Sequence, residues 1–137
     1  MSVKKPKARY ESVMLVDDSE IDNFINQKMI EGHNFAERIY VHTGSKSALE
    51  FLLNFERAHL PENLLPEIIF LDINMPLMDG FQFADEFQKA SPRIYDKVKI
   101  VFLTSSLNPA DQKRAMAVRG VYSFLNKPLT KEHLDKL

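Results

Sequence analysis

Short apolar runs that each stop at a polar or charged residue constrain this chain more than any other feature. Residues 12–16 end at Asp17 and Asp18, residues 67–71 at Asp72, and residues 97–103 at Thr104. Two further runs, 38–41 and 121–125, complete the set, and the last is followed by Asn126, Lys127 and Pro128. Runs of this length and composition read as strands buried on both faces. Between them lie stretches of helical periodicity. Ile21, Phe24, Ile25 and Met29 recur at helical spacing within 19–31, and Ala48, Leu49, Leu52, Leu53 and Phe55 within 46–57. Residues 81–89 form a third such stretch, stopped by Pro92, and a fourth starts at Asn108 with a proline in its first turn and runs to 119. A short helix over 129–137 closes the chain. Five strands alternating with five helices predict an α/β fold with a doubly wound parallel sheet.

Length and composition leave room for little else. A chain of 137 residues makes one domain with a sizeable core. With no cysteine, disulfides, thiolate metal sites and cysteine nucleophiles are excluded. No run approaches the roughly 20 apolar residues of a membrane span, and the N-terminus lacks the apolar stretch of a signal peptide, so a cytoplasmic protein without membrane contact is expected. The net charge of −1 conceals an asymmetry, because Lys4, Lys5, Lys7 and Arg9 stand in the first ten residues without an acid. Residues 1–10 therefore read as a basic, disordered leader and residues 11–137 as the domain. The acid excess over that domain argues against a nucleic-acid partner.

In an open parallel sheet, ligands bind outside the carboxyl ends of the strands. Here those ends carry Asp17, Asp18, Asp72, Thr104 and Lys127, so three carboxylates, a hydroxyl and an ammonium converge on one rim. Each residue alone has an ordinary reading: Asp17-Asp18 as a helix cap, Asp72 as a turn residue, Thr104 as a cap, Lys127 as a loop lysine. Together they suit a hard cation such as Mg²⁺ held by carboxylate oxygens. A strand-end carboxylate can also be a nucleophile toward phosphorus, with a lysine and a hydroxyl contacting the phosphoryl oxygens. The set reads as a phosphoryl-acceptor site. The four histidines, His33, His42, His59 and His133, lack metal-ligand spacing and read as surface or loop residues.

The motifs carrying these residues closely resemble the receiver domain of two-component response regulators. They are residues 13–18, residues 71–80 with the pattern D-x-x-M-P-x-M-D-G, residues 102–104, and Asn126-Lys127-Pro128. The resemblance covers about residues 11 to 137 and implies a flavodoxin-like sheet with strand order 2-1-3-4-5. It further implies that Asp72 is the phosphoacceptor, and that Asp17, Asp18, Asp72 and the backbone carbonyl of Asn74 hold Mg²⁺. Lys127 would contact the phosphoryl group, with a cis peptide into Pro128. Thr104 and Phe124 would form the switch pair. Ser106 and Asn74 would flank the path of attacking water.

The implied partners are a sensor histidine kinase or phosphotransfer protein meeting the first helix near Asn23 and Phe24, and a downstream protein docking around Leu107, Ala110, Arg114, Tyr122 and Phe124. Because the receiver fills the chain, output is expected to lie on that partner. Two alternatives belong to other classes. One is an aspartyl-phosphate phosphatase of the haloacid-dehalogenase kind, and there Asn74 stands where such enzymes carry a second acid, which an amide cannot replace in proton transfer. The other is an unphosphorylated interaction module, which retention of all the acids and Lys127 disfavours.

Overall fold

The structure is a computed structural model that describes residues 7–137. Five strands run in chain order as β1 (Tyr10–Val16), β2 (Ala36–His42), β3 (Ile68–Leu71), β4 (Lys99–Thr104) and β5 (Val121–Asn126). All pair in parallel, in the order β2-β1-β3-β4-β5. The helices are α1 (Glu20–Gly32), α2 (Ser45–Arg57), α3 (Gly80–Ala90), α4 (Pro92–Tyr95), α5 (Pro109–Met116) and α6 (Lys131–Asp135). The α/β architecture and strand order match the expectation.

The period of two along each strand splits the core between the two faces of the sheet. Met14, Val16, Ile69, Leu71, Ile100 and Phe102 pack on one side with Leu52 of α2 and Phe83 and Phe87 of α3. Val13, Leu15, Ile68, Phe70, Val101 and Leu103 pack on the other with Ile30 of α1 and Leu134 of α6. Every residue of β3 is buried, as a central strand covered on both faces requires.

One helical expectation is corrected. Among the described residues there are six α-helices rather than five, because Pro92 does more than end α3. It opens α4 at a first-turn position where its missing N–H costs nothing, and Ile94 and Tyr95 bury behind it. The apolar stripe of α1 is not its buried face: Ile21 is 72% and Phe24 61% exposed, whereas Asn23 and Asn26 are buried. Both asparagines bind backbone. Asn23 Nδ2 donates to the Asp17 carbonyl at 2.9 Å, and Asn26 Oδ1 accepts from Leu129 N–H at 3.0 Å. Those carbonyl and amide groups would otherwise be buried unpaired, so polar residues face inward here. Asn23 is consequently not available at the surface for a partner.

Of the expected leader, residues 1–6 lie outside the described residues. Ala8 is buried, Arg9 Nη1 donates to the Leu134 carbonyl at 2.7 Å, and Tyr10 opens β1. The end of that segment is thus tied into the fold. Among the described residues no helix is long and apolar enough to cross a membrane.

Candidate functional site

The register of the sheet assembles the rim. Val16 lies opposite Leu71, and Leu71 opposite Phe102, so the residues that follow these positions emerge on the same edge. Asp17 and Asp18 follow β1, Asp72 follows β3, and Thr104 ends β4. One oxygen from each of Asp17, Asp18 and Asp72 lies within 4.8 Å of the other two. Asp17 and Asp72 are buried and Asp18 is exposed, which leaves the cluster open on one side.

Lys127, just beyond β5, reaches into this cluster. Its Nζ lies 2.6 Å from Asp17 Oδ2, 2.9 Å from Asp22 Oδ2 and 3.3 Å from Asp72 Oδ2. The peptide bond into Pro128 is cis. The other oxygens of Asp17 and Asp72 are held by backbone: Asp17 Oδ1 accepts from Ser19 N–H at 2.9 Å, and Asp72 Oδ1 from Ile73 N–H at 2.8 Å. Asp22 was not singled out from the sequence. An acid in the first turn of a helix ordinarily reads as complementing the helix dipole, and only the folding of Lys127 over α1 gives it a second role.

The electrostatics follow from this packing. Burial, then the neighbouring Asp17 charge, pushes the Asp72 carboxyl above its ordinary range, against the pull of Lys127. Burial alone would lower Lys127. Hydrogen bonds to Asp17 and Asp22, with the charges of Asp72 and Asp17, outweigh it and hold the ammonium above an ordinary lysine.

Gly80, at the start of α3, explains how the loop after Asp72 is held. Its N–H donates to the Ile73 carbonyl at 2.8 Å, and a Cβ there would collide with the Asp72 carbonyl oxygen. The helix can approach this closely only through glycine. Asp79 caps α3 in a reciprocal box with Gln82. Between these points Leu77 takes a positive φ of 70° in a γ-turn closed by Met78 N–H to the Pro76 carbonyl at 2.8 Å. Ser45 Oγ braces the turn by donating to the Met78 carbonyl at 2.5 Å.

Thr104 is fully buried, and its Oγ1 accepts from Ser106 N–H at 3.2 Å. Phe124 is half-buried against the core, and its register partner is Phe102. Ser106 Oγ donates to Asp111 Oδ2 at 2.5 Å, which fixes the loop into α5. Leu107, Ala110, Arg114 and Tyr122 are all exposed around it. Asn74 is exposed beside the acid cluster. Of the candidate residues, the structure brings Asp17, Asp18, Asp72 and Lys127 together at the rim, whereas Asn23 is buried against backbone.

The family model for the response regulator receiver domain matches residues 13–137. Among curated proteins, the chain is 31% identical over 127 residues to the sensor histidine kinase CheAY of Helicobacter pylori. That match covers 89% of this chain but only 14% of the kinase. It is 30% identical over 124 residues to the probable methanogenesis regulatory protein FilR2 of Methanothrix harundinacea, covering 90% of this chain and 76% of that protein. Among solved structures, a two-component response regulator from Cytophaga hutchinsonii superposes with a TM-score of 0.83 at 34% identity, covering 93% of this chain and 92% of the other.

Proposed function

The chain belongs to the response regulator receiver-domain family, and on that premise we propose that it is a phosphorylation-operated switch with Asp72 as its phosphoacceptor. Receiver domains are signalling elements of two-component systems and bind Mg²⁺ at an acidic pocket. The single observation that carries the reading is the gathering of carboxylate oxygens of Asp17, Asp18 and Asp72 within 4.8 Å of one another, beside an ammonium that touches the buried Asp72.

The donor set fits the cation. It is all oxygen, without sulfur or imidazole, and partly open, which suits a hard ion that keeps several waters. Asp17, Asp18, Asp72 and the Asn74 carbonyl would hold Mg²⁺. When bound, the ion supplies positive charge that offsets the charge gathered at the rim. The donor is a phosphohistidine on a kinase or phosphotransfer protein. A carboxylate oxygen of Asp72 attacks phosphorus, the N–P bond breaks, and its electron pair stays on the imidazole. Lys127 meets one phosphoryl oxygen and Thr104 another. Drawing the Thr104 hydroxyl toward the phosphoryl group breaks its contact with Ser106 N–H, and Phe124 repacks beside it. The change alters the surface around Leu107, Ala110, Arg114, Tyr122 and Phe124, where a downstream protein docks.

The exposed stripe of Ile21, Phe24 and Ile25, next to Lys127 and Pro128, receives the donor protein. Such a switch works in the cytoplasm and turns over no separate substrate. Ser106 and Asn74 border the approach of hydrolytic water and set the lifetime of the phosphoaspartate. A haloacid-dehalogenase-like phosphatase is disfavoured because Asn74 offers no second acid.

The test is direct. Incubation with Mg²⁺ and acetyl phosphate should add one phosphoryl group to the intact mass, and Asp72→Asn should abolish the adduct. Absence of an adduct in the wild type would sink the reading, and rapid steady-state hydrolysis of the donor would point to the phosphatase instead.

A further inference from the structure

Asp22 stands outside the carboxylate trio, yet it binds the ammonium that serves that trio. Lys127 has three N–H donors and three carboxylates around it. Its contact with Asp72 is the longest, at 3.3 Å, against 2.9 Å to Asp22 and 2.6 Å to Asp17. Asp17 belongs to the trio, and its other oxygen is taken by Ser19 N–H. Asp22 projects from the first turn of α1, with its side chain 37% exposed.

We propose that Asp22 is a positioning residue that competes with a phosphoryl group on Asp72 for the Lys127 ammonium, and so limits the population and lifetime of the phosphorylated state. The inference rests on the phosphoacceptor role proposed for Asp72.

The sign follows from comparing the two states, since only a difference between them shifts the balance. In phosphorylation an Asp72 oxygen bonds to phosphorus, the bond to the donor's leaving group breaks, and the electron pair departs with that group. One negative charge at Asp72 is replaced by about two. Before transfer, the Asp22 carboxylate is matched by Lys127 at 2.9 Å. After transfer there are two arrangements. If Lys127 stays on Asp22, the phosphoryl group lacks its ammonium. If Lys127 leaves, Asp22 faces additional negative charge without a counter-ion. Either way Asp22 favours the unphosphorylated state. Removing its charge takes a favourable partner from that state and a repulsive one from the phosphorylated state, and both effects act in the same direction.

The experiment compares wild type, Asp22→Asn and Asp22→Glu in saturating Mg²⁺. The probes are fluoroberyllate, a phosphoryl mimic, and acetyl phosphate. Asp22→Asn should bind fluoroberyllate about two- to fivefold more tightly, the effect of one partly exposed charge pair, and its phosphoryl adduct should decay more slowly. Asp22→Glu, which restores the charge, should return toward wild type. The ¹⁵N signal of Lys127 Nζ should move in Asp22→Asn, and the tighter fluoroberyllate binding is the readout that a purely structural role for Asp22 does not give. Unchanged or weaker fluoroberyllate binding by Asp22→Asn overturns the inference, as does a drop in thermal stability with no change in affinity. If wild type forms the adduct and only the Asp22 comparison fails, the phosphoacceptor reading stands. If neither protein forms an adduct or binds fluoroberyllate, both fall.

Discussion

Lys127 Nζ lies 2.6 Å from Asp17 and 3.3 Å from Asp72, so one ammonium on the loop after β5 joins the carboxyl ends of β1 and β3. The two acids are nearly buried, at 6% and 7% side-chain exposure, and each would repel the other without that cation.

Replacing Lys127 by Met should therefore destabilise the cation-free protein by about 2–4 kcal/mol, the cost of stranding buried carboxylates without their partner. Urea unfolding with and without excess Mg²⁺ measures it. A loss that shrinks when Mg²⁺ is present supports a shared site. A loss independent of the ion means that Lys127 does no more than pack.

Asp72 also predicts a pH dependence. Its folded-state pKa is raised above the unfolded value, so the folded protein binds this proton more tightly. The associated stability is fully present below the unfolded value of 3.8 and is lost as pH rises through the folded value. In the absence of divalent ions, Asp72→Asn should remove that decline and raise the urea midpoint at neutral pH. Parallel stability curves from pH 4 to 7 for the two proteins would show that the burial of Asp72 carries no such penalty.

Gly80→Ala places a methyl group against the Asp72 carbonyl oxygen, where backbone cannot yield cheaply. A loss of about 1–3 kcal/mol is expected, as for other overpacked sites. Mg²⁺ affinity, read by titration, should weaken with it because the loop that follows Asp72 shifts. Unaltered stability and affinity would mean that the loop relaxes freely.

Thr104→Val keeps the shape of a buried side chain and deletes the hydroxyl. Removing one partner from the Ser106 N–H bond should cost about 0.5–1.5 kcal/mol. With Mg²⁺ and fluoroberyllate, amide NMR shifts in β5 around Tyr122 and Phe124 should be much smaller than in the wild type, although the ligand still binds. Full-sized shifts would remove Thr104 from the relay.

Phe24→Ala tests the outward stripe of α1. Because Phe24 is 61% exposed, stability should change by no more than about 0.5 kcal/mol. Phosphorylation by acetyl phosphate should keep its rate, whereas transfer from a phosphohistidine protein should slow severalfold. Equal slowing with both donors would place the defect in the site itself.

The rim residues were legible because sheet geometry constrains them. A buried strand of apolar residues that stops at an aspartate has its carboxyl end at that aspartate, and parallel strands put such ends together. Asp17, Asp72, Thr104 and Lys127 could thus be placed before any contact was known. The face of α1 could not, because Ile21, Phe24 and Ile25 have the spacing of a core stripe and nothing local says otherwise.

Local chemistry in the sequence determined the strands, every α-helix start but that of α4, and the set of strand-end acids, since periodicity, capping and chain direction act over a few residues. Tertiary structure alone decided which face of α1 is buried, because the Asp17 carbonyl and the Leu129 amide had to be satisfied by Asn23 and Asn26. It also decided that Asp22, rather than only the trio, shares Lys127. That contact spans 105 residues, and a pairing at such separation depends on where β5 and α1 come together rather than on the residues adjoining either one.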